Sequence, residues 1–226
     1  MSQENQKPII GIIGGTGKEG KGLAFRWIRA GYQVIIGSRT QEKAKDAVQA
    51  LTELVPEATG ALSAALNEDA AQHADVVILT VPFAHHVDMV TFLKPLIKGK
   101  ILVDVTVPLV PPKVSMVQMP PEGSAAMQAQ QILGEESEVV AAFQNISFKN
   151  LLEEGVPACD ILVCGRKREA REMVLSLIES ADMIGWDAGY LENSMVVEGL
   201  TSILIGLNKK YKVKSSGIKI TGIPLD

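Results

Sequence analysis

Short apolar runs alternate along the chain with longer amphipathic stretches. Residues 7–13, which contain Ile9-Ile10-Gly11-Ile12-Ile13, read as a buried strand. Residues 17–30 read as a helix that Gly31 ends. Residues 32–36 form a second strand of β-branched and aromatic residues, and Thr40 suits the N-cap of a helix running to about residue 53. A short strand at 59–62 and a short helix at 67–72 follow. Residues 75–81 are apolar on both faces, as in a parallel strand covered on each side, and Pro82 stops them. A helix then runs to about residue 97, followed by Gly99 and a strand over 100–105.

Beyond Pro108 the pattern loosens. Pro111, Pro112, Pro120 and Pro121 break up a loop-rich connection. Strand-like runs return at 138–143 and 160–163, then a helix at 167–180 and a strand at 183–186. Residues 191–207 predict a long helix that is apolar around most of its circumference, so it must be buried in a lobe or a subunit interface. Residues 217–223 predict a last strand. Alternation of this kind specifies an α/β fold: a doubly wound, mostly parallel Rossmann-type sheet with a small C-terminal α/β lobe. The expected boundary separates residues 1–145 from residues 146–226.

The sharpest chemical feature sits between the first strand and the first helix. Gly15, Gly17 and Gly20 make G-x-G-x-x-G in the strand–turn–helix context that the motif requires. Gly15 permits the tight turn, Gly17 lets a pyrophosphate approach the backbone, and Gly20 lets helix and strand pack closely. The helix start offers free N–H groups and a positive dipole end to phosphate. The end of the second strand then selects the cofactor. It reads Gly37-Ser38-Arg39-Thr40, without the carboxylate that would accept from a ribose 2′-hydroxyl. Arg39 can grip a 2′-phosphate with a planar fork, Ser38 can hydrogen-bond to it, and Lys43 one turn on adds a point charge. Residues 1–145 are therefore expected to bind NADP(H).

Other polar residues carry less. His85 follows the carboxyl end of a central strand, where open α/β sheets place ligands, whereas His86 reads as an ordinary surface histidine. His73 lies at the opposite end of that strand, and the three histidines lack metal-ligand spacing. Lys209, Lys210, Lys212 and Lys214 follow the apolar helix, either as dipole-facing surface cations or as a landing site for a polyanionic ligand tail. Cys159 and Cys164 are five apart, face opposite sides of a strand, and read as small buried residues. There is no Tyr-x-x-x-Lys proton relay and no evident acid/base pair, which points to chemistry governed by positioning.

Apolar residues make up 46% and charged residues 21%, and the net charge is −4, so no global basic field favours nucleic acid or an anionic membrane. No apolar run approaches the ~18 residues of a membrane span, and the polar start lacks a signal-peptide pattern, which predicts a cytoplasmic protein.

Several blocks together carry a family resemblance. Gly14-Gly15-Thr16-Gly17-Lys18-Glu19-Gly20-Lys21-Gly22-Leu23-Ala24 and Gly37-Ser38-Arg39 resemble the NADPH-dependent reductases of the deazaflavin coenzyme F420. So do Leu79-Thr80-Val81-Pro82, Pro108-Leu109-Val110-Pro111, Gly123-Ser124-Ala125-Ala126, Val163-Cys164-Gly165, Asp187-Ala188-Gly189 and Glu198-Gly199-Leu200-Thr201, in order along nearly the whole chain. The resemblance implies reversible hydride transfer between NADPH and F420 in a homodimer, with residues 146–226 serving deazaflavin binding and dimerisation. It implies that Thr16, Gly17, Lys18 and Glu19 wrap the pyrophosphate and that Ser38, Arg39 and Lys43 hold the 2′-phosphate. It further implies that Val81, Pro82 and His85 lie along the nicotinamide half, with Thr201 near the deazaflavin. One position departs from the family: after Val139-Val140-Ala141-Ala142-Phe143, where family members carry a histidine, this chain has Gln144. The alternatives are an NADPH-dependent reductase of a flavin or of a small carbonyl or imine compound, and a non-catalytic NADP(H)-sensing protein.

Overall fold

Every residue of β1 (Ile10–Ile13) is buried, and its side chains divide between two apolar layers. Ile10 and Ile12 point into one layer with Leu23, Trp27 and Ile36, while Ile13 points into the other with Val77, Leu79 and Leu93. A strand apolar on both faces needs cover on both. The computed structural model, which describes residues 7–153 and 155–224, supplies it.

Eight strands form one sheet in the order β3-β2-β1-β4-β5-β6-β7-β8. β1, β2 (Val34–Ser38), β3 (Leu62–Leu66), β4 (Val76–Leu79), β5 (Ile101–Asp104) and β6 (Glu138–Ala141) are parallel. β7 (Asp160–Gly165) joins β6 antiparallel through Val140↔Gly165 and Ala141↔Cys164, and β8 (Ile184–Asp187) runs parallel to β7. The strands after residue 145 thus extend the sheet of the strands before it. One face carries α1 (Lys18–Arg29), α2 (Gln41–Leu54) and α7 (Arg168–Glu179). The other carries α3 (Asn67–His73), α4 (His86–Leu93), α5 (Ala125–Leu133) and α8 (Ser194–Tyr211).

α1 ties the two parts of the chain together. Its buried Arg26 donates to the backbone carbonyls of Asn150, Leu151, Glu153 and Gly155 around α6 (Phe148–Leu151). Trp27 donates from its indole to the Leu177 carbonyl at 3.0 Å.

Several elements differ from the sequence expectation. The strand expected at 59–62 lies at β3, because Pro56–Ala58 form a 3-10 turn that delays it. α5 falls in the connection expected to be loop, where Ser124 caps it by accepting from Met127 N at 2.9 Å. The helix expected at 191–207 opens with a 3-10 turn at Leu191–Asn193 and continues to Tyr211, where Lys212 adopts a left-handed conformation. Residues 217–223 form no strand, and the chain bends at Gly222 and Ile223. They are held to the start of β7 by Asp160 N donating to Ile218 O and Ile220 N donating to Asp160 Oδ2. Cys159 and Cys164 are buried and free.

Candidate functional site

β1 has β2 on one side and β4 on the other, and the chain leaves their carboxyl ends toward opposite faces of the sheet. That switch point opens the crevice in which doubly wound sheets bind ligands. Two cavities meet there, and both are lined by Thr80, Val81 and Pro82, which follow β4.

The first, of about 310 Å³, is also lined by Gly14, Thr16, Gly17, Ser38, Arg39, Asn67 and His85. The turn beneath it is tightly specified. Gly15 N donates to Gly37 O at 3.0 Å, and Gly14 N donates to Asn67 Oδ1 at 3.2 Å. A methyl on Gly20 would lie 2.7 Å from Gly15 Cα, so that glycine is required by packing. A methyl on Gly17 would meet nothing closer than Gly14 O at 3.6 Å and would project into open space. Gly17 also caps α1 without a side-chain hydrogen bond, which leaves the first helix N–H groups free for an anion. The cradle fits a dinucleotide pyrophosphate. At its far end Ser38 is buried and Arg39 is exposed, and both also border a recess containing Glu68 and Phe92. Lys43 is exposed and lines neither cavity, nor does Lys18, whose Nζ sits over the Phe148 ring at 5.1 Å.

The second cavity, of about 350 Å³, is lined by Glu19, Phe83, Thr106, Phe143, Gln144 and Thr201, with apolar side chains between them. Phe143 holds a positive φ of 73°, uncommon for a bulky residue, and stacks edge-on against Trp27. That conformation turns the next residue, Gln144, toward the end of β5. Gln144 Nε2 donates to Asp104 O at 2.7 Å, while the Gln144 carbonyl accepts from Thr201 Oγ1 at 2.6 Å. Gln144 Oε1, Thr106 Oγ1 and Glu19 Oε1 are buried and without protein partners. Buried polar atoms without partners are unusual in native folds, and three belong to residues around one cavity. Its walls combine apolar side chains with these unpaired polar groups.

Behind this wall lies a charged cluster that the sequence reading missed. His86, read there as a surface residue, is wholly buried: Nε2 lies 2.7 Å from Asp104 Oδ2 and Nδ1 lies 3.2 Å from Gln128 Oε1. Burial opposes the imidazolium, but the Asp104 carboxylate outweighs it and raises the His86 pKa. Glu198, also wholly buried, accepts from the N–H groups of Ala125 and Ala126 at 2.7 and 3.1 Å, at the positive end of α5. Burial pushes its carboxyl up to about 8, Asp104 adds to that, and the two N–H donors and His86 pull the other way. A lone carboxylate in an apolar helix was the available sign of Glu198. Asn67, which orders the phosphate turn, had none beyond its place after a strand.

Glu19 and Thr201 therefore share one cavity with Gln144, while Thr16, Gly17, Ser38, Arg39 and His85 share the other. Gly15 and Gly20 shape the turn from beneath. The lysines at 209, 210, 212 and 214 are exposed and line neither cavity; Lys209 is eight residues past Thr201, ~12 Å along the helix. Among the described residues no group of three potential metal ligands converges, and no helix is long and apolar enough to cross a membrane.

The fold and the paired cavities define a dinucleotide-binding α/β protein. Residues 9–108 match the family model described as NADP oxidoreductase, coenzyme F420-dependent. The chain is 41% identical to the F420-dependent NADP reductase of Methanocaldococcus jannaschii, over 96% of this chain and 99% of that protein. It is 40% identical to the F420-dependent NADP reductase of Methanothermobacter thermautotrophicus, over 95% of each. Among solved structures, a putative F420-dependent NADP-reductase from Arthrobacter superposes with a TM-score of 0.78 at 23% identity, covering 96% of this chain and all of that one. The chain belongs to the family of F420-dependent NADP reductases.

Proposed function

We infer that this protein is an oxidoreductase that transfers a hydride reversibly between NADPH and the deazaflavin coenzyme F420. One observation carries the reading: the phosphate-binding cavity and the polar-edged cavity share the wall made by Thr80, Val81 and Pro82. A dinucleotide lying on the glycine turn would send its nicotinamide over that wall, toward whatever the second cavity holds. NADPH supplies the hydride. The protein supplies position and dryness, and orientation of this kind can account for ~7–11 kcal/mol of a barrier.

In this reading Thr16, Gly17 and the free N–H groups of α1 receive the pyrophosphate, and Ser38 and Arg39 the 2′-phosphate. Lys43 acts only through its charge at longer range. Val81, Pro82 and His85 flank the nicotinamide half. Phe143, Gln144, Thr106 and Thr201 form the deazaflavin side, with residues 146–226 contributing α8 to it. The test is absorbance-monitored NADPH turnover with F420, FMN and FAD in parallel. Rapid bleaching of F420 with poor flavin reduction supports the reading. Ready flavin reduction without F420 bleaching would favour the flavin reductase alternative and make Gln144 the first residue to change.

We further propose a cytoplasmic homodimer. Met195, Val196, Ile203 and Leu207 of α8 are exposed, from 39% to 64%, while Val197 and Leu204 of the same helix are buried. An apolar helix face of this kind favours a second copy as its cover. Light scattering at micromolar concentration checks it, and a monomer would count against it.

A further inference from the structure

Glu19 stands at the second position of α1, directly after the phosphate turn, yet its side chain lines the second cavity rather than the phosphate-facing one. Its Oε1 is sealed from solvent and has no hydrogen-bond partner. The other buried acids nearby are committed: Asp104 to His86 and the Thr106 N–H, and Glu198 to the start of α5. Glu19 alone among them keeps an unpaired carboxyl oxygen, and the residue lines the cavity where two rings would meet.

Its surroundings hold it neutral. Burial pushes the Glu19 carboxyl up to about 8, with no charged neighbour contributing. The charged groups on the elements packed around it are Lys18, Lys21, Arg26 and Arg29 on α1, Lys149 on α6, and Glu42, Lys43, Lys45, Asp46 and Glu53 on α2; β1 and β2 carry none, and Asp104 of β5 and Glu198 of α8 belong to the elements across the cavity. Lys18 is turned aside over Phe148, and Lys149, Glu42 and Lys43 are exposed. Glu19 is half-buried, with one carboxyl oxygen sealed, and a carboxyl that holds its proton near neutrality is equipped both to give and to take one.

Hydride exchange with a deazaflavin needs such a group. The acceptor ring takes a hydride at carbon and a proton at its nitrogen–carbonyl edge, while NADPH becomes a cation. We propose that Glu19 is the proton donor and acceptor of this site. Its O–H bond breaks as the acceptor's N–H bond forms, and the resulting carboxylate faces the new nicotinamide cation. Solvent then restores the Glu19 proton, so the net reaction consumes one proton with each NADPH. In reverse, the carboxylate takes the proton from the reduced ring. The proposal rests on the hydride-transfer reading, but the predicted proton behaviour of Glu19 can be measured without F420.

A nicotinamide cation within a few ångströms favours ionised Glu19, whereas the uncharged dihydronicotinamide does not. In weakly buffered solution near neutral pH with an indicator dye, NADP+ binding should therefore release more protons than NADPH binding, by up to about one per site. Glu19→Gln should abolish the difference. The infrared difference between the two complexes of the unmodified protein should show a protonated-carboxyl C=O band lost in the NADP+ form. In turnover, Glu19→Gln and Glu19→Leu should lower kcat for F420 reduction by about 10²–10⁴-fold with little change in NADPH affinity, and should remove the fall in rate above the Glu19 pKa. Equal proton release with both cofactors and no carboxyl band would overturn the assignment, as would full activity and an unchanged pH profile in both variants. If F420 is not reduced but the Glu19-dependent proton release is seen, the F420 reading and proton donation to its ring both fail, and Glu19 stands only as a group that exchanges a proton with the nicotinamide charge.

Discussion

The hydroxyl of Thr201 donates to the backbone carbonyl of Gln144 at 2.6 Å, joining the middle of α8 to the loop after β6 at the edge of the second cavity. Through the Gln144 side chain this link continues to the Asp104 carbonyl at the end of β5. Thr201→Val keeps the shape and deletes the donor, leaving a carbonyl with one partner fewer. Urea unfolding should show a loss of ~1–3 kcal/mol. The KM for F420 should rise while the Kd for NADPH stays constant, because only the second cavity is disturbed. Unchanged stability and unchanged KM would show that the hydroxyl does no more than fill space.

Discrimination between the two nicotinamide cofactors should follow Arg39. NADPH should bind more tightly than NADH, and Arg39→Ala should remove most of the difference. Loss of a charge-assisted contact costs ~1.5–3 kcal/mol, about tenfold to more than a hundredfold in affinity. Isothermal titration with both cofactors checks this, and equal affinities in the unmodified protein would remove the 2′-phosphate from the account.

Gly17 and Gly20 should behave differently although both belong to one motif. A side chain at Gly17 enters open space, so Gly17→Val should fold and lose dinucleotide binding. A side chain at Gly20 meets Gly15 Cα at 2.7 Å, so Gly20→Val should lower the Tm itself. Thermal unfolding with and without NADPH separates the cases: the Gly17 variant keeps its Tm and loses the ligand-induced rise.

Stability should fall as pH rises across the neutral range. Glu19 and Glu198 have folded values of about 8 against an ordinary 4.5, and His86 is raised above 6.5. All three hold protons in the folded state that the unfolded chain has begun to release. Their contribution is therefore complete below about 4.5 for the acids and below 6.5 for His86, and is lost as pH climbs through the folded values. Urea midpoints measured at stepped pH should decline from mildly acidic to mildly alkaline conditions, and less so in His86→Ala. A midpoint that rises across that interval would contradict the assigned protonation states.

Much of the phosphate cavity was legible in the chain because its constraints are local. The glycine spacing runs straight on from the apolar run of β1, and the Ser38-Arg39 pair is a self-contained signal at the end of the next strand. The second cavity was less legible. Glu19, Thr106, Gln144 and Thr201 meet only because β5, β6 and α8 are brought together by the sheet order, which no local periodicity encodes. His86 and Asp104 are 18 residues apart, and only burial reveals their pairing. α5 was hidden behind prolines, although Ser124 ahead of an alanine-rich stretch is a cap that could have been read. The tail imitates a strand in sequence, but its contacts to Asp160 form no continuing ladder.

In the proposed reaction the hydride passes directly between two bound rings. Single-turnover reaction of F420 with NADPH deuterated at the transferring nicotinamide C4 position tests it most directly. Deuterium should appear on carbon in reduced F420, with none lost to water. Deuterium recovered in solvent, or NADPH oxidation without labelled F420, would contradict it.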